Sequence, residues 1–391
     1  VAERARAVLE ANWHPAGYTT PHAATYPFGW LWDSCFHAVA WAELGRADRA
    51  VTELAHVFRT QGPSGFVPHV DYEVAPDHHA DFWGRSGSSS ITQPPMYGHA
   101  VAELVRRGIE VPAAVVDAAV RGLRFLLETR ARDPATGLVT VVHPWETGAD
   151  DSPRWDHWCP GGFDLARWYE VKGALLATVA TDAHGAPVAN PAFGAAPAGF
   201  NALVAFNAAE LAEVTGDAGL GAAAGTLADA LARRWDPALR TWVDAGPAAD
   251  TSGRVRTLDA LLPALVDPDR AGPALADALD DRAYGGACGP AGVHRDEPCF
   301  APHTYWRGPA WPQLTYLLWV AARRHGMAPA ADGLAERLVR GAVASGMAEY
   351  WDPDDGRGLG AVPQSWAALA AVVRPVPGRG ADGPEPAVRT G

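Results

Sequence analysis

The feature that most constrains the fold of this 391-residue chain is helical spacing of apolar residues that recurs from end to end, in segments often paired across tight breaks. The spacing predicts about twelve or thirteen helices, over 2–12, 34–44, 47–60, 96–107, 112–130, 165–180, 198–214, 218–234, 258–266, 271–279, 312–324, 328–344 and 365–373. The breaks fall at Leu44–Asp48, Arg107–Pro112, Thr215–Asp217 and Gly326–Pro329, where glycine stops one helix and the next begins within a few residues. Period-two alternation is confined to short pieces such as Gly137–His143 and Arg240–Asp244. Pairs of helices repeated six times describe an all-α (α/α)6 barrel with a few short strands. Its inner helices surround a funnel, and its long loops gather over one mouth.

Length alone allows two domains, but repeated-helix barrels run this long as one unit. Residues 1–374 therefore read as a single catalytic domain, and the proline-rich, apolar-poor tail 375–391 as unstructured. The 32 basic and 45 acidic residues give a net charge of −13, which disfavours nucleic acid or an anionic membrane surface as partner. A small polar ligand fits better, and self-association is left open. Lys172 is the only lysine, and with alanine, glycine and proline abundant this reads as a GC-rich coding bias rather than as chemistry. The four cysteines, Cys35, Cys159, Cys288 and Cys299, lack C-x-x-C spacing and read as reduced thiols. The first ten residues are charged and amphipathic, and no apolar run approaches the roughly eighteen residues of a membrane span. The expected setting is cytoplasmic.

The unusual side chains concentrate in the long loops at 63–94, 138–162, 284–308 and 350–363, which are rich in Trp, His, Asp and Gly. Two segments stand out: His143–Trp155, with Trp145, Glu146, Asp150 and Asp151, and Met347–Pro353, with Glu349, Tyr350 and Trp351. Cleaving a glycosidic bond needs one carboxylic acid to protonate the departing oxygen and a second carboxylate to activate water or attack carbon. Aromatic faces hold the sugar ring. Two adjacent acids against an apolar wall also suit raising one pKa enough for a proton donor. Read singly, Asp150 could be a solvated turn residue and Glu349 a surface acid. Asp33 could be a helix N-cap or a ligand for ring hydroxyls, with Tyr26, Trp30 and Trp32 as core filler or sugar platform. Trp306 and Arg307 open the helix after Pro312, and Gln93 and Gln364 are neutral hydrogen-bonders just ahead of helices. No phosphate loop, dinucleotide fingerprint or nucleophile elbow is present, and His78, His79 and Asp81 lack helical metal spacing. No cofactor or metal is expected.

Together these segments resemble family 63 of the glycoside hydrolases, especially its bacterial mannosylglycerate and glucosylglycerate hydrolases. The matching pieces are Trp30–Ala38, Gly65–His69, Thr92–Pro95, His143–Trp155, Tyr305–Trp311, Glu349–Pro353 and Gln364–Trp366, in the family's order. The resemblance implies an inverting α-glycosidase on an (α/α)6 fold, with Asp150 as acid and Glu349 as base. It also implies sugar contacts at Tyr26, Trp30, Asp33, Trp145, Tyr305, Trp306, Trp311 and Gln364, and an aglycone contact at Gln93. Arg167 and Tyr72 are the expected partners of a glycerate carboxylate. The stretches after Trp155 and from Thr241 to Gly292 look short for such relatives. The expected partner is a small glycoside such as glucosylglycerate or mannosylglycerate. The alternatives are an α-glucosidase or trehalase-like enzyme, then an (α/α)6 phosphorylase or lyase, and last a non-catalytic sugar-binding protein.

Overall fold

The computed structural model describes residues 1–374, so the tail 375–391 lies outside the described residues. The helices in chain order are α1 (Ala2–Ala11), α2 (Leu31–Glu43), α3 (Ala47–His56), the one-turn α4 (Ala80–Trp83), α5 (Tyr97–Arg106), α6 (Ala113–Arg124), α7 (Leu165–Leu176), α8 (Ala198–Thr215), α9 (Ala218–Ala232), α10 (Pro268–Leu279), α11 (Pro312–Arg324) and α12 (Ala328–Ala344). Two 3₁₀ segments, Leu258–Leu265 and Ser365–Ala371, stand where the spacing predicts helices.

An inner ring follows from the packing. α2 contacts α5, α5 contacts α8, α8 contacts Leu258–Leu265, that segment contacts α11, α11 contacts Ser365–Ala371, and the last returns to α2. Each inner element also packs against one outer helix: α3, α6, α9, α10, α12 and, for Ser365–Ala371, the N-terminal α1. These are the six pairs of an (α/α)6 toroid. The burial pattern explains which helix lies inside. α8 buries side chains on all sides, while outer α3 buries only Ala50, Glu53, Leu54 and His56 along one face.

The departures from the predicted elements have local causes. Pro263 lacks the amide hydrogen that an α-helix needs, and the chain there tightens to 3₁₀. The side chain of Gln364 accepts the Trp366 N–H, which starts Ser365–Ala371 as a tight turn. α2 begins at Leu31, so Trp30 holds the N-cap position and Asp33 lies inside the first turn. The N-cap reading of Asp33 is therefore corrected. α7 belongs to none of the six pairs; it takes its start from the Asp164 carboxylate, which accepts the Arg167 N–H. The strands form two-stranded antiparallel ribbons, two of which position site residues: Gly29–Trp30 against Val70–Asp71, and Tyr350–Trp351 against Gly358–Leu359. All four cysteines are free. Among the described residues no helix is long and apolar enough to cross a membrane.

Candidate active site

Loops that precede or open the inner elements enclose a cavity of about 610 Å3. Trp30 and Asp33 reach it from the start of α2, Gln93 from ahead of α5, Tyr305 from ahead of α11, and Gln364 from ahead of the last inner segment. Asp150 and Glu349, 199 positions apart in the chain, line the same cavity together with Tyr26, Tyr72 and Trp145.

The two carboxylates occupy different environments. Asp150 accepts no hydrogen bond on its carboxyl oxygens from any described residue, and it sits beside Asp151 with Glu349 within electrostatic reach. Burial pushes its pKa up to about 8; the Lys172 cation opposes that rise, and the Asp151 and Glu349 charges add to it. Glu349 is also raised by burial, but two donors favour its ionised form: the Ala361 N–H at 2.9 Å and the Tyr26 hydroxyl at 3.2 Å. Burial thus raises both carboxyls, but only Glu349 has hydrogen-bond donors among the described residues that favour its ionised form.

Each carboxylate is set by a glycine that no other residue could replace without movement. Gly148 has φ +70°, and a Cβ there would stand 2.5 Å from the Trp32 ring. Gly360 has φ +68°, and a Cβ there would stand 2.4 Å from a Glu349 carboxyl oxygen. The acid loop is pinned through three successive backbone carbonyls. Trp155 Nε1 donates to Ala149 O at 2.8 Å, Trp168 Nε1 to Asp150 O at 2.9 Å, and Arg307 Nη1 to Asp151 O at 3.3 Å. Glu146, the other acid of that loop, is fully buried and committed elsewhere: it pairs with Arg130 at 2.6 Å and accepts the Val142 and Thr92 N–H groups.

At the inner end of the cavity Gln364 uses its carbonyl on the Trp366 N–H, so its amide turns to Asp33, 3.2 Å away. Burial lifts Asp33 to about 7; His37 and Gln364 oppose that rise, and Glu349 adds to it. Gln93 accepts the Trp32 N–H at 3.4 Å, so its amide too is oriented by a helix start. These hydrogen bonds fix the orientation of polar groups that line the cavity.

Three expected residues lie elsewhere. Trp306 and Trp311 stack on each other at 3.8 Å between ring centres, and Trp311 stacks on Tyr350 at 4.5 Å. They are buried behind the wall that Tyr305, Tyr350 and Trp366 present, and so support the lining rather than form it. Arg167 turns away from the cavity and donates to Pro160 O at 2.7 Å. Its place on the rim belongs to Leu165 and Tyr169, one helical turn apart on α7. Sequence reasoning assigned no role to these two, nor to His69, Trp83 and Tyr350, which also line the cavity, as does Asp151, expected only as the acid next to Asp150. The Gly65–His69 motif held a usable signal for His69. Nothing in the α7 pattern distinguishes Tyr169 from an ordinary surface tyrosine. Among the described residues His99, Glu103 and Glu210 converge as potential metal ligands, but Arg106 and Arg324 both pair with Glu210 and already neutralise it.

Fold and cavity together define the class, a glycoside hydrolase built on an (α/α)6 toroid. Residues 26–367 match the mannosylglycerate hydrolase MGH1-like glycoside hydrolase domain, and the chain belongs to that family. It is 30% identical to the mannosylglycerate hydrolase of Thermus thermophilus over 429 aligned positions, covering 93% of this chain and 98% of the relative. The glucosylglycerate hydrolase of Mycolicibacterium hassiacum is 29% identical, covering 95% and 97%. A crystal structure of a family 63 mannosylglycerate hydrolase from Thermus thermophilus, in complex with Tris and D-glycerate, superposes with a TM-score of 0.76 at 26% identity, covering 95% of this chain and 98% of that one. An alignment of 429 positions exceeds the 391 residues of this chain, so the Thermus relative carries insertions that this chain lacks.

Proposed function

We propose that this chain is an inverting hydrolase of small α-glycosides of the mannosylglycerate or glucosylglycerate type, with Asp150 as general acid and Glu349 as general base. Residues 1–374 act as one catalytic unit, in a cytoplasm that keeps the thiols reduced. The sugar ring sits over Trp30, Trp145 and Tyr305 with its hydroxyls at Asp33 and Gln364. Asp150 gives its proton to the glycosidic oxygen as that bond breaks. Glu349 takes a proton from the water that attacks the anomeric carbon from the opposite face, so the product has the inverted configuration. Tyr26 holds Glu349 in place, and Gln93, Tyr72 and Tyr169 receive the aglycone.

The observation that carries this reading is the pair itself: a buried carboxyl without donors and a donor-held carboxylate, lining one cavity large enough for a monosaccharide and a short aglycone. The names of the relatives supply the substrate type. Asp150→Asn and Glu349→Gln test it, each expected to reduce turnover of both glycosides by about 10²–10⁴-fold while ligand binding remains. Wild-type turnover in both variants would end it.

A second reading, with another sugar as aglycone, is favoured by the aromatic faces of Tyr72, Trp83, Trp145 and Tyr169 around the cavity. Release of glucose from α-linked disaccharides at a higher kcat/KM than from glucosylglycerate would select it.

A further inference from the structure

Resting on the assignment of Asp150 as the acid, we infer that Lys172, the sole lysine of the chain, is a positioning residue that sets the proton affinity of Asp150 as one half of a buried ion pair with Asp151.

Lys172 lies two-thirds of the way along α7, and its side chain is 1% exposed. Its Nζ donates to Asp151 Oδ1 at 2.8 Å and stands over the rings of Tyr169 at 4.1 Å, Trp145 at 5.3 Å and Trp168 at 5.6 Å. An ammonium withdrawn from water is held there by one full charge and three aromatic faces. The backbone around it is tied to the acid loop on both sides. Lys172 O accepts His143 Nε2 at 3.0 Å, and Trp168, one helical turn earlier, donates to the carbonyl of Asp150 itself. The helix that carries the cation is therefore tied to the peptide of Asp150, and the cation itself to the carboxylate of Asp151.

The charges around Asp150 are few. Asp151 on its own loop, Glu349 from the loop before the last inner segment and Lys172 from α7 act on it, while Tyr169, Tyr26 and Tyr305 face it as un-ionised phenols. Arg307 reaches the carbonyl of Asp151 but spends its charge on Asp156 at 2.7 Å, and Tyr350 lies near Asp151. Lys172 is the cation among the charges that act on Asp150. With the lysine in place, Asp151 is neutralised and the acid keeps a proton it can still give up. Without it, two adjacent carboxylates would share one dry wall.

The test is the pH profile of kcat/KM for mannosylglycerate or glucosylglycerate, in Lys172→Met and Asp151→Asn. Loss of the acid's proton sets the alkaline limb. Lys172→Met leaves Asp151 uncompensated and should move that limb up by about one pH unit, whereas Asp151→Asn leaves the lysine uncompensated and should move it down by a similar amount. The acid limb should stay within a few tenths of a unit in both. A purely structural pair would instead lower the whole profile, with the limbs unmoved or both shifted the same way, and that result overturns the inference. If Lys172→Met does not fold, the direction of the limb in Asp151→Asn decides alone. If Asp150→Asn keeps its alkaline limb and its activity, the acid assignment fails, which is a different outcome from an unmoved limb above a dead Asp150→Asn.

Discussion

Tyr26 distinguishes the two carboxyls of the cavity through a single hydroxyl. It donates to the Glu349 carboxylate, and a donor to the ionised form keeps a carboxyl pKa down. Tyr26→Phe should therefore raise the Glu349 pKa, so that activity on the acidic side is lost at a higher pH. The acid limb of kcat/KM moves up while the alkaline limb stays, and titrating the variant beside wild type checks this. Gly360→Ala should act on the same group by steric means: its Cβ meets the carboxylate, so kcat should fall by at least tenfold, while circular dichroism shows the fold intact. Much of this site was legible in the sequence because acids and tryptophans crowded into Gly- and Pro-punctuated loops announce exposure to a ligand. Asp150 and Glu349 stood out in that way, while Asp33 and Gln364 were placed by the family resemblance; all four line the cavity. The directions of side chains were not. Trp306 takes a left-handed backbone at φ +58° and stacks inward, and Arg167 turns to a carbonyl of its own loop. Lys172 looked like an accident of composition and is buried in an ion pair with Asp151, the neighbour of Asp150.

The elements show why two segments far apart in the chain converge. The acid loop leaves the toroid after the π-helical end of α6 at Phe125–Thr129 and is anchored there by Arg130, whose guanidinium pairs with Glu146 where neither side chain is exposed. Breaking a buried pair by removing one partner leaves an uncompensated charge and costs about 3–5 kcal/mol. Arg130→Met should lower the urea midpoint accordingly, with activity lost in proportion to unfolding, as measured by denaturant titration. The second clamp is Arg154, which bridges Asp244 at 3.1 Å and Asp259 at 2.6 Å and so ties the same loop to the turn after Trp242 and to the inner segment Leu258–Leu265. Helix spacing made a toroid of six helix pairs legible, including a helical segment over 365–373, but not which segments lie inside. It did not reveal that α1 completes the last pair, because which outer helix meets which inner one depends on ring closure and not on local pattern. Nor did it set α7 apart as a site helix, since its repeat resembles that of its neighbours.

At the scale of the molecule, the cavity is a place where the fold tolerates charges it would be more stable without. The folded pKa of Asp150 is about 8, against an unfolded value of about 3.9. The native state thus holds more protons than the unfolded state between these values, and this group's contribution to stability declines as pH rises through that window. The penalty is absent below the unfolded pKa and complete above the folded one. Asp150→Asn should accordingly gain thermal stability over wild type at pH 9 and gain little at pH 4, a difference that melting curves at the two pH values will show. Such a cost to the scaffold accompanies a carboxyl whose pKa burial raises, and it is consistent with the proposed role of Asp150 as proton donor. The most direct test is to follow hydrolysis of mannosylglycerate and glucosylglycerate by proton NMR and record which anomer of the hexose appears first. Release of the β-anomer from the α-glycoside, abolished in both Asp150→Asn and Glu349→Gln, is the expected result. First appearance of the α-anomer, or turnover that survives loss of Glu349, would contradict the assignment of a proton donor and a water-activating base facing each other across this cavity.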